Sequence, residues 1–303
     1  MKYWICFLLL LPVFGFGQDE KDSWKDAKLI FSDMDNFWKA YEEDYPNLSR
    51  KTLKQIYLSA ASPDLQQVYI PFIVGKSGKK LTRLVNAYSA YFEDLKKLNF
   101  RSEEIEGEIR KGYRGLKEIY PAAQFADVYF AVGTFSSAGA FMNGKLAISI
   151  EMFPEEFQLI DNTQTVNFAA LPGVVIHEMV HYQQKRVDDK SLLAASIREG
   201  SADFITEMVM GENMNQHIHD FANPQEAELW QEFRSAMSGN NYHNWLYNQD
   251  KGRMKDLGYW MGYKIVEAYY QKHKEEAGVI SQILNIEDYS DFLQASGYHP
   301  ASQ

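Results

Sequence analysis

Apolar residues recur at helical spacing through the first part of the chain. In "SWKDAKLIFSDMDNFWKAYEEDYP", Leu29, Ile30, Met34, Phe37, Trp38 and Tyr41 fall on one stripe, which predicts a helix that ends before Pro46. "KKLTRLVNAYSAYFEDLKKL" and "SEEIEGEIRKGYRGLKEIYP" carry the same period and predict further helices. The period then changes. "DVYFAVGTF" and "KLAISIEMF" are short and rich in β-formers, and they predict strands joined by the Gly/Ser-rich "SSAGAFMNG". "LPGVVIHEMVHYQQ" and "SLLAASIREGSADFITEMVMG" return to helix, which continues to the end. A small sheet set among many helices is an α+β class.

The first residues stand apart from this pattern. "MKYWICFLLLLPVFGFG" has a lysine near its start, an apolar run and small residues at Gly15 and Gly17. That is the form of a cleavable secretory signal over 1–17, too short for a comfortable membrane span. The chain is therefore expected outside the cytoplasm, secreted or periplasmic, with no stable membrane anchor. The one cysteine, Cys6, falls inside this run, so the mature chain has neither a disulfide framework nor a cysteine-held metal.

Residues 18–303 are long enough to bury a large core as one unit. It reads as a helical part over 18–120, a sheet and a helix pair over 121–212, and a helical part over 213–303. Losing Lys2 with the signal moves the formal net charge from -10 to -11. An acidic chain without a basic run has no electrostatic footprint for nucleic acid. Aromatic residues make up 15% of the chain, which points to a Tyr/Phe-rich core before a carbohydrate platform.

The candidate chemistry lies in "VIHEMVHYQQ". His177 and His181 are four apart, so on a helix they point the same way and can hold one ion. Glu178 is about a hundred degrees further round, outside the pair but near enough to act on a water there. The apolar Val174, Val175, Met179 and Val180 predict a buried helix, where unpaired polar groups are costly and a bound cation would relieve that cost. Zinc needs a third protein ligand, and "REGSADF" supplies Glu199. Asp203, one turn on, can accept a ring N–H of a ligand histidine. Gly200, mid-helix, suggests close approach of the two helices around the metal.

These parts imply a hydrolase. Zn2+ held by His177, His181 and Glu199 acidifies water, and Glu178 acts as general base. A further donor would stabilise the oxyanion. Tyr259 and Tyr263 in "DLGYWMGYKIVEAYY" are the candidates, with His243 in "NYHNWLYN" as runner-up. His217, His219, His273 and His299 read as surface histidines.

"HEMVH" followed by "EGSAD" resembles the gluzincin metallopeptidases, typified by thermolysin and the aminopeptidase N family. With "NWLYN" and "LGYWMGYKIV" added, the chain looks like a bacterial family of secreted proteins predicted to be zinc-dependent proteases. The gliding-motility lipoproteins of Bacteroidota are a neighbouring likeness. The resemblance implies a mostly helical, zincin-like fold with a small sheet and an active-site helix pair. It also implies zinc ligands at His177, His181 and Glu199, a base at Glu178 and a supporting aspartate at Asp203. "GAFMN" is similar to the amine-binding motif of the aminopeptidases but lacks its glutamate, so aminopeptidase specificity is not carried over.

The substrate is then a peptide or protein, lying as an added strand along an edge strand drawn from "GKLAISIEM". Two other classes use the same residues. One is a catalytically idle zincin fold serving cell-envelope assembly. The other is a metallohydrolase of a non-peptide amide.

Overall fold

Two apolar runs separated in sequence meet as neighbouring strands. Val128–Ala131 (β2, following β1 at Leu29–Ile30) pairs in parallel with Lys145–Ser149 (β4), which pairs antiparallel with Gly139–Met142 (β3). The order is β1-β2-β4-β3, a small mixed sheet. This is a computed structural model, and it describes residues 24–300 except 68, 157, 161–162 and 248–249. The signal-like segment 1–17 lies outside the described residues. The class is α+β and mostly helical, as the patterning predicts. Among the described residues no helix is long and apolar enough to cross a membrane.

Three sequence expectations are corrected here. Leu29 and Ile30 leave the predicted helix to form β1, in register with Val128 and Tyr129. The segment "GAFM" is a strand instead of a connecting loop. Its turn, Asn143-Gly144, has φ of 49° and 74°, the two positive values that a two-residue hairpin needs to match strand twist. Consequently β4 lies inside the sheet, and the edge beside it is β3. Leu146, Ala147 and Ile148 are fully buried, as suits a strand covered on both faces.

The described chain forms two compact units, one of residues up to Tyr113 with Gln124–Met179, the other of Arg114–Ala123 with Val180 onward. The first holds the sheet and α1 (Ser32–Glu43), α2 (Arg50–Thr52), α3 (Pro63–Gln67), α4 (Lys79–Ala87), α5 (Ser89–Lys97) and the start of α6 (Glu103–Ile119). The single helix predicted over α4 and α5 breaks at Tyr88, whose φ and ψ are -120° and 40°. Its core is aromatic, as composition suggests: Phe37 is fully buried with Tyr57, Phe92 and Tyr41 around it.

The segment after β2 is held at every residue. Tyr57 donates to Val132 O at 2.7 Å and accepts from Val132 N at 2.9 Å. The buried Glu151 carboxylate accepts from Gly133 N at 2.7 Å and Phe135 N at 3.1 Å. Thr134 bonds Ile73 O and receives Lys80. These bonds fix the path into β3.

The second unit contains α8 (Leu192–Met210), preceded in the chain by α7 (Leu171–Gln183), which begins in the first unit. After them come α9 (Gln216–Ala222), α10 (Glu226–Ala236), α11 (Leu257–His273), α12 (Val279–Leu284) and α13 (Tyr289–Ser296). Ser191 caps α8 by accepting from Ala194 N at 3.1 Å, and Gly211 ends it at φ 86°.

Gly200 makes a close approach, but to α11. A Cβ on Gly200 would stand 2.0 Å from Tyr263 N, and one on Gly262 would stand 1.7 Å from Ser196 O. The backbones of α8 and α11 therefore touch, and the spacing Ser196/Gly200 meets Gly258/Gly262. His219 is a further correction: it is buried, with its ring 4.6 Å from that of Tyr263.

Candidate metal centre

The helix α7 follows a short turn capped by Asn167, whose side chain accepts from Ala169 N. Pro172 suits its first turn, where no N–H partner is lost. Val175, Ile176, Met179 and Val180 are fully buried, so the helix has no wholly polar face. The last turn of α7 carries His181, which meets Glu199 of α8.

The period of α7 brings His177 and His181 to the same side. One donor atom from each of His177, His181 and Glu199 lies within 4.8 Å of the others, a group able to hold a metal ion. His177, Glu178 and Glu199 are buried, and the His181 side chain is 7% exposed.

The His181 ring is oriented by its neighbours. Gln184 Nε2 donates to Arg198 O and to Ser201 Oγ, both at 2.8 Å. A carbonyl only accepts, so this fixes the amide, and Gln184 Oε1 must accept from His181 Nδ1 at 2.8 Å. The ring's other nitrogen, Nε2, is then a lone pair in the neutral histidine. It faces Glu199 Oε2 at 3.2 Å. With the ring neutral this pair calls for a cation between them; with the ring protonated Nε2–H donates to the carboxylate. Ligand atoms on a tetrahedral zinc ion stand about 3.3 Å apart, by the usual bond lengths. The donor set and this spacing both suit zinc.

The other oxygen of Glu199 is taken as well. Tyr247 donates to Oε1 at 2.9 Å. Burial first, and the Glu199 carboxylate second, hold the Tyr247 phenol well above its ordinary pKa, so it stays a donor. Gln184 and Tyr247 were not singled out in the sequence. For Gln184 a signal existed, since it lies one turn beyond His181. Tyr247 lies within "NWLYN", which carries the family resemblance, but its loop position at φ 67° has no period that points to Glu199.

The remaining candidates take various places. The Glu178 carboxylate lies beside the Gly139 backbone at the start of β3, where a Cβ would stand 2.7 Å from Glu178 Cγ. Asp203 is buried, and its Oδ2 accepts from Asn215 at 2.7 Å. Tyr259 has its phenol pKa raised well above normal by burial and then by Glu199, which places it in the field of that carboxylate. Tyr263 goes elsewhere: it bonds Glu207 and packs on Phe204 and His219. His243 is exposed, with Nε2 3.0 Å from Asp250.

Residues 142–290 match the model of a family described as "Predicted Zn-dependent protease (DUF2268)". That span includes His177, Glu178, His181, Gln184, Glu199 and Tyr247. No curated protein and no solved structure matches the chain.

Proposed function

We propose that the chain is a zinc-dependent metallopeptidase, exported by its signal-like first residues. The observation that carries this reading is the cluster of ligand atoms from His177, His181 and Glu199, all within 4.8 Å of one another. The family match over 142–290 points the same way.

In this reading His177, His181 and Glu199 are the ligands. When bound, zinc would supply Lewis acidity towards a carbonyl oxygen and an acidified water. Glu178 is the base: a carboxylate oxygen takes the water's proton and delivers it to the leaving nitrogen. Its place beside Gly139 puts that oxygen next to the edge strand β3. An extended peptide pairing with β3 would present its backbone to Glu178, with β3 replacing β4 in the role expected from sequence. Tyr259 is the proposed donor to the developing oxyanion.

The test is a peptide library cleaved by purified protein from residue 18 onward, with and without chelator, beside Glu178→Gln. The wild type should cleave and the variant should not, while both retain about one zinc per chain, because Glu178 is no ligand. Equal cleavage by both would overturn the role of Glu178. Absence of cleavage by the wild type across the library, with zinc bound, would favour the idle scaffold or the non-peptide amide.

A further inference from the structure

We infer that Tyr247 is a positioning residue that confines Glu199 to a single ligating oxygen. The inference rests on the zinc reading above and adds to it the coordination mode of one ligand.

A carboxylate can meet a metal ion through one oxygen or both. In Glu199 the two oxygens are already distinguished. Oε2 faces His181 Nε2, while Oε1 accepts from the Tyr247 phenol at 2.9 Å. For both oxygens to turn towards one ion, the carboxylate would have to rotate and carry Oε1 off its line to the phenol. Glu199 is 4% exposed, so water does not readily replace the phenol. A buried acceptor that loses its donor is left at a cost, which opposes the rotation.

The phenol is held where it is by the loop that carries it. The loop runs from the end of α10 to the start of α11. Trp245 and Leu246 are buried and anchor it. Gly258 N bonds Trp245 O at 2.7 Å, and the Arg253 guanidinium lies 5.4 Å from the Trp245 ring while bonding Asn244 O. Tyr247 follows at φ 67°, an unusual place for an aromatic residue, and its N–H is tied to Asp256 Oδ1 at 2.8 Å. Asp256 is itself left-handed, at φ 59°, immediately before α11. Unusual backbone at two linked residues, with the side chain of one delivered to a ligand, is the pattern of a held functional contact.

A merely structural tyrosine would affect folding and leave metal coordination alone. The two are separated by measuring the metal. Wild type and Tyr247→Phe are stripped and loaded with cobalt(II), and absorption spectra are recorded. Zinc affinity is then measured by competition with a chelator, and melting of the metal-free proteins serves as a control. Tyr247→Phe should bind zinc roughly tenfold to a hundredfold more weakly, the usual loss when a ligand's outer partner is removed. Its cobalt bands should weaken, as they do when a second carboxylate oxygen raises the coordination number. Tyr247→Asn serves if phenylalanine does not fold there, since asparagine tolerates left-handed backbone but is too short to reach Glu199. Unchanged affinity and an unchanged cobalt spectrum in the variant overturn the inference and leave the zinc reading standing. A wild type that takes up neither zinc nor cobalt overturns both.

Discussion

Gly139 and Glu178 occupy one space between them: a Cβ on Gly139 would stand 2.7 Å from Glu178 Cγ, 2.8 Å from Cδ and 2.9 Å from Oε1. No side chain fits at the first residue of β3 while the glutamate keeps its present rotamer. The edge strand and the proposed base are thereby placed in contact.

Gly139→Ala should therefore displace Glu178 without touching a metal ligand. The expected result is unchanged zinc content with turnover reduced by up to about a hundredfold, the scale of loss for a misplaced catalytic group. Steady-state kinetics with metal analysis check it. Full activity in the alanine variant would mean that the carboxylate position does not matter to the reaction.

Gln184 determines which nitrogen of His181 carries the proton, because its amide is oriented by Arg198 O and Ser201 Oγ. Gln184→Leu removes the acceptor and should weaken zinc binding about tenfold to a hundredfold. Gln184→Glu keeps an acceptor at the histidine and should retain more affinity than leucine does. Chelator competition on the two variants gives the ranking, and the reverse order would remove Gln184 from the metal site.

Much of the candidate metal centre was legible in sequence because it depends on local period. His177 and His181 share a face by helical geometry alone, and Glu199 lies on the next helix. The sheet was less legible. β3 was hidden in a Gly/Ser-rich stretch, although its Asn143-Gly144 turn was a usable hairpin signal. That β4 lies inside the sheet depends on pairing with β2, a non-local choice that its own apolar run only hints at. Gly200 signals a close helix approach, but no local pattern says that the partner is α11. Tyr247 depends on a loop conformation, and loops of this kind have no period to read.

The contact of α8 with α11 gives a stability prediction. Gly262→Ala places a Cβ 1.7 Å from Ser196 O, so the helices must separate. The expected cost is at least about 3 kcal/mol, the upper range for overpacking, because the obstacle is backbone and cannot change rotamer. Urea unfolding measures it. A loss below about 1 kcal/mol would show that the two helices part easily.

Glu151 predicts how stability varies with pH. The side chain is fully buried, and its oxygens accept from Gly133 N and Phe135 N. Burial pushes its pKa up to about 7 from the ordinary 4.5, against the opposing effect of those two N–H groups and of Lys80. The folded pKa is thus above the unfolded one. Between the two values the folded chain holds a proton that the unfolded chain has released, so stability falls as pH rises. The contribution is fully present below about 4.5 and is lost by the time pH has passed about 7, a change of about 3 kcal/mol for a shift of this size. Glu151→Gln cannot ionise and should lack this slope. Asp33 and Asp256, also raised by burial, bend the curve in the same direction, but equally in both proteins, so the difference isolates Glu151. The amide has one oxygen for two N–H donors, which adds a pH-independent cost of about 1–3 kcal/mol. Urea unfolding at pH 5 and pH 8 supplies the comparison: wild type should be the more stable at pH 5, and its advantage should shrink or reverse at pH 8. Parallel curves for the two proteins would show that Glu151 stays ionised throughout.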